Sequence, residues 1–208
     1  MSYESPLRAP TSQDPFVMYV HIPTSHPMHN WIWESFCQPK DKVFLWLLIK
    51  NRLSTGNILR RHMDLDSFES VLCQQSIEET AEHLFFRCPF AVDRWNLLNL
   101  TVKQQGSLSE ILEGFTLQLG PPFFMNPITL MGWRIWTAGN DIIFEGLQPN
   151  FQSSWRTFQK EIALLSLRAK ERSAHSFESW VSKSVVIALL SLIFFFLFRF
   201  LSSLSCNW

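Results

Sequence analysis

The chain has 208 residues, 47% of them hydrophobic and 17% charged, and its 18 basic and 18 acidic side chains cancel to zero. That length fits one domain, or one small domain with appendages. The aromatic, weakly charged composition excludes an intrinsically disordered chain, and the neutral total excludes a basic coat drawn to phosphate at long range.

Residues 1–30 carry Pro6, Pro10, Pro15, Pro23 and Pro27 and no apolar run of the signal-peptide kind, so a flexible or extended leader is expected. His21, His26, His29 and His62 lie in proline-rich or polar contexts and read as solvent-exposed. Without a secretion signal, the cysteines at 37, 73, 88 and 206 favour reduced thiols or a metal site over a disulfide framework. From Val43 to Ile49 runs a continuous apolar stretch whose period alone does not separate helix from buried strand. Its long-chain residues and basic finish at Lys50 and Arg52 favour helix. Ser54 or Thr55 then caps a short helix over Asn57 to Arg61.

Pro89 suits the first turn of a helix running to about Leu100. Residues 101–126 read as a connector, and Asn126-Pro127, a cap followed by a first-turn proline, opens a helix through Phe144. Trp155, Phe158, Ile162, Leu165 and Ala169 fall on one face of an amphipathic helix. The fold expected is mainly α: a small domain over 31–100, the connector, a helical extension over 127–183, and a hydrophobic tail.

That tail holds 15 Val, Ile, Leu or Phe among the 20 residues from Val185 to Leu204, a bilayer-spanning length. Transfer of those side chains is worth up to roughly −7 kcal/mol, against at most about +3 kcal/mol for one arginine. That arginine, Arg199, lies near the end, where snorkelling lowers its cost. Residues 184–205 are therefore a candidate transmembrane segment. With Arg168, Lys170, Arg172 and Lys183 before it, the body is expected in the cytosol and the protein tail-anchored. If the tail does not insert, the location is cytoplasmic or nuclear.

The chemistry concentrates in Ser70-Val-Leu-Cys73 and Glu78-Glu-Thr-Ala-Glu-His-Leu-Phe-Phe-Arg-Cys88. Cys73, His83 and Cys88 offer two thiolates and an imidazole, a zinc-type donor set. A closed structural site needs four ligands, and Ser70 stands where a Cys-x-x-Cys knuckle would place its first cysteine. The run from Trp33 to Trp95 resembles the zinc-binding domain downstream of the reverse transcriptase in plant non-LTR retrotransposons. The similarity rests on Pro39-Lys40, Lys42-Val-Phe44, Leu45-Trp-Leu47, Asn51-Arg-Leu-Ser-Thr55, Leu59-Arg-Arg61, Glu78-Glu-Thr80, His83-Leu-Phe-Phe86, Cys88-Pro-Phe-Ala91 and Trp95. Trp133-Arg-Ile-Trp136 with Asn140-Asp141 resembles the helix that trails the domain.

The resemblance implies a Cys-x-x-Cys, His, Cys ligand set in which Ser70 replaces the first cysteine, leaving Cys73, His83 and Cys88. Three possibilities stay open: weak zinc binding completed by water or by Cys37, a decayed site whose thiols act as small core hydrophobes, or an open catalytic zinc, which lacks an evident general base. Charge is segregated, with a net +5 from Lys40 to His62 and a net −6 from Met63 to Phe86. Lys40, Lys42, Lys50, Arg52, Arg60 and Arg61, interleaved with Phe44 and Trp46, form the candidate contact set for RNA or DNA, a role the resemblance also implies. The alternative is that these cations solvate helix ends and pair with the acidic segment. No Gly-rich phosphate loop, Gly-x-Ser-x-Gly elbow, His-Glu-x-x-His or Tyr-x-Asp-Asp occurs, so neither an enzyme nor a small-molecule substrate is expected.

Overall fold

A computed structural model describes residues 27–60, 67–73, 75–103, 105–120 and 123–168, together with Phe177 and Ser179. Among the described residues, seven α-helices in chain order are α1 (Pro27–Glu34), α2 (Pro39–Ile49), α3 (Gly56–Leu59), α4 (Pro89–Asn96), α5 (Leu108–Leu119), α6 (Met125–Glu145) and α7 (Phe151–Ser166), with a π-helical turn at His83–Arg87. The expected mainly helical class holds, and the sole β pairing among the described residues is an isolated antiparallel bridge, Glu69 with Glu78. No helix among the described residues is long and apolar enough to cross a membrane; the candidate transmembrane segment, 184–205, lies outside them.

Helix α2 settles the ambiguity of the Val43–Ile49 run. Pro39 fits its first turn, where an amide would lack a partner in any case. Asp41 accepts a bond from the Gln38 amide at 3.2 Å and closes that turn. Phe44, Leu45 and Leu48 are buried, and Phe44 is the hub. Its ring lies 5.8 Å from Phe85, 5.5 Å from Trp133 and 5.8 Å from Trp136. Gly132 on α6 permits this approach, since a Cβ there would stand 3.2 Å from the Phe44 ring.

The expected flexible leader is ordered at its end, because Met28 and Ile32 on α1 are buried in the core. The expected connector holds a helix, α5, closed by a capping box in which the Ser107 hydroxyl accepts from the Glu110 amide and Glu110 accepts from the Ser107 amide at 2.6 Å. Asn126 is not the cap of α6, which begins one residue earlier. Its side-chain oxygen instead accepts a bond from the Phe36 amide at 2.9 Å, tying the α1–α2 link to α6. Helix α6 ends at Gly146, whose left-handed φ of 67° suits glycine, with the Gly146 and Leu147 amides returning to Ile142 and Asp141. Asn150 caps α7 through the Ser153 amide at 3.0 Å. Phe158, Ile162 and Leu165 bury the predicted face of α7, Arg134 on α6 pairs with Glu161, and Ala169 lies outside the described residues.

Candidate metal centre

Three short elements converge on one point. The first is the loop closed by the Glu69–Glu78 bridge, where the Ser70 amide donates to Ile77 at 2.8 Å and the Glu79 amide donates to Phe68 at 2.9 Å. A tight turn inside it spans Ser70 to Cys73, which brings the two Cα atoms within about 7 Å. The second is the π-helical turn, started by the Thr80 hydroxyl, which accepts from the His83 amide at 3.1 Å. The Cys88 amide donates back to the His83 carbonyl at 2.7 Å, five residues away, a widened turn of the kind that gathers at functional sites. Trp95 clamps this turn from α4, its indole donating to the Phe85 carbonyl at 2.6 Å. The third is the start of α4, where Cys88 holds the N-cap position and Pro89 follows.

The result is a cluster in which the ligand atoms of Cys73, His83 and Cys88 all lie within 4.8 Å of one another. Cys73 Sγ stands 3.3 Å from His83 Nε2, against about 3.6 Å for sulfur and nitrogen on one tetrahedral zinc. Burial holds the His83 pKa below its usual range, which keeps the imidazole neutral and able to donate a lone pair. Burial raises the Cys88 thiol, with the Cys73 thiol adding to the rise, while the Phe90 and Ala91 amides oppose it. Ser70 is buried, and its hydroxyl has no hydrogen-bond partner among the described residues. The donors present fit zinc at three corners, and the orphaned hydroxyl marks the position where the resemblance expects a fourth ligand. No Asp or Glu among the described residues joins the cluster.

Cys37 does not complete it. Its thiol points at Asn126, 3.6 Å from Oδ1, and burial pushes its pKa up to about 12. The alternative ligand fails because α2 starts against the N-terminus of α6, and that contact claims the cysteine.

The motif residues around the cluster build its scaffold. Glu79, buried, accepts a bond from the Gly56 amide at 3.1 Å, and the Asn57 amide donates to the Glu79 carbonyl at 3.1 Å. Gly56 passes so close that an added Cβ would sit 2.9 Å from the Phe68 carbonyl. Trp136 on α6 donates to the Ser54 carbonyl at 3.3 Å. Thr55 occupies the cap position of α3, yet its buried hydroxyl bonds the Asn57 side chain at 2.6 Å.

The basic set is dispersed. Lys40 lies over the Trp133 ring at 5.2 Å, and Lys42 donates to the Trp33 carbonyl at 2.8 Å. Lys50 and Arg52 sit at the other end of α2, about 15 Å along its axis. Arg60 approaches Glu78 at 3.8 Å and covers Phe68, which is the expected pairing between basic and acidic segments. Arg61 and His62 lie outside the described residues, as do His21 and His26. His29 is half-buried rather than exposed, and accepts a bond from the Trp33 indole at 3.1 Å. Sequence reasoning missed Glu79, Thr80 and Trp95 as supports of the cluster, since each works through a backbone group that only the folded chain brings near.

Fold and site together define a small helical module with a cluster of two cysteines and one histidine placed to hold a metal ion. Residues 16–95 match the family described as zinc-binding in reverse transcriptase, so this stretch of the chain is similar to that family. No curated protein and no solved structure matches the chain.

Proposed function

We propose that the chain carries a retrotransposon-derived zinc-binding module of the plant non-LTR kind, non-catalytic, which binds RNA or DNA. The observation that supports this most is the convergence of Cys73, His83 and Cys88 within 4.8 Å. Zinc, when bound, supplies a structural crosslink between the loop, the π-helical turn and α4. Two thiolates and one imidazole form a weaker set than the four ligands of a closed site. Competition with a chromophoric chelator tests it: one zinc per chain in the wild type, none in Cys88→Ser, and at least about ten-fold tighter binding in Ser70→Cys. Absence of stoichiometric zinc in both the wild type and Ser70→Cys would sink the metal reading.

Lys40, Lys42, Lys50, Arg52 and Arg60, with Arg61, supply the phosphate contacts of this reading. Binding of labelled RNA and DNA is expected to weaken steeply between low and moderate salt, and an affinity indifferent to salt would overturn it. A second reading rests on the apolar run from Val185 to Leu204: a tail-anchored membrane protein whose body faces the cytosol. Resistance to alkaline carbonate extraction supports that reading, and complete extraction removes it.

A further inference from the structure

Arg94 on α4 is 8% exposed, yet no hydrogen bond or ion pair reaches its guanidinium among the described residues. Two aromatic rings flank it instead: Cζ lies 4.3 Å from the centre of the Phe90 ring and 4.5 Å from the Phe151 ring. These ring contacts use none of the five N–H donors, which find no acceptor among the described residues. None of these nitrogens is among the polar atoms sealed from solvent without a partner, so each keeps some contact with solvent. Asp93, next in the chain and exposed, attracts the guanidinium electrostatically but does not bond it.

The second ring sets the guanidinium beside the start of another helix. Phe151 is the first residue of the 16-residue helix α7, and first-turn side chains lean back past the helix N-terminus. The Asn150 side chain takes the Ser153 amide and its carbonyl takes the Ser154 amide, while the amides of Phe151 and Gln152 have no acceptor within the helix. The first turn of α7 holds no acidic residue. A buried cation is thus placed against the positive end of a helix dipole, an unfavourable pairing unless an anion lies between them.

We propose that Arg94 and the N-terminal amides of α7 form a phosphate-binding site, the planar guanidinium taking two phosphate oxygens side by side and the helix amides a third. Its ligand is a phosphate group, supplied by a nucleic-acid backbone or by free phosphate. The site rests on neither the zinc cluster nor the α2 cations, and free phosphate reads it without nucleic acid, so its failure is separate from that of the proposed function.

The probe is inorganic phosphate titrated into the 15N-labelled full chain at constant ionic strength, against chloride. Saturable shifts are expected at the Arg94 Nε–H and at the Phe151 or Gln152 amide, together with a phosphate-specific rise in melting temperature that Arg94→Met lacks. Methionine keeps an apolar filling between the rings, and Arg94→Lys serves if it does not fold, with the phosphate shift then at least halved. A second titration uses a single-stranded RNA. An affinity lowered about ten-fold in Arg94→Met assigns the ligand to the backbone, and an unchanged one to free phosphate. Phosphate shifts absent at Arg94 in the wild type, or a melting response retained in a folded Arg94→Met, would overturn the proposal.

Discussion

Glu79 shows how a single side chain couples the loop before α3 to the metal cluster. One carboxylate oxygen accepts from Gly56 while the other is buried without a partner among the described residues, and burial raises the carboxyl pKa above the usual range. The folded chain therefore holds that proton to higher pH than the unfolded chain does. The contribution is fully present below the unfolded pKa and is lost as pH rises through the folded one. Glu79→Gln keeps an acceptor for the Gly56 amide and removes the charge. Urea unfolding from pH 4 to 8 is expected to show stability falling more steeply with rising pH in the wild type than in the variant; parallel curves would contradict this origin. Cys73, His83 and Cys88 were legible as a donor set because thiolates and imidazole announce themselves by type. Glu79 and Trp95 were not, because a carboxylate or an indole does not reveal which distant amide or carbonyl it will meet.

Among the elements, α2 and α7 follow from the sequence, α7 through the period of its apolar stripe and α2 through its long-chain residues and basic finish. Helix α5 does not stand out that way, although its Ser107-x-x-Glu110 box was in plain sight. Surrounding turn residues and the Gly120-Pro-Pro122 break masked a helix of 12 residues. Ser107→Ala is expected to cost about 1 kcal/mol in chemical denaturation, and no measurable loss would mean that packing alone fixes α5. Asn126 misled in the opposite direction. Local sequence made it a cap, whereas the tertiary structure uses its side chain to hold the chain before α2.

Across the whole molecule, the family-matched stretch and the trailing helix share one core. Phe44, Phe85, Trp133 and Trp136 form a continuous aromatic cluster joining α2, the π-helical turn and α6. The matched family stretch ends at residue 95, before α6 begins. Phe44→Ala is expected to cost about 3–5 kcal/mol and to weaken zinc binding with it, because the π-helical turn carries His83. Calorimetry alongside the chelator titration checks both; retention of full stability would show that the cluster is not a common core. A chain ending at residue 100 is expected to lose cooperative unfolding, since it leaves Phe44 without its α6 partners.

The seat of Cys37 makes the chain its own clock. A thiol with a pKa of about 12, enclosed where α2 meets α6, does not react while that junction is shut. Cys73 is the more accessible of the two cluster cysteines, so on the proposed zinc reading the metal governs its reactivity. Under a thiol reagent, Cys73 should be modified at a rate set by metal release and Cys37 at a rate set by separation of the helices. Two residues of the same kind thus time two different events in one molecule, and modified peptides separated by mass would record both from a single sample.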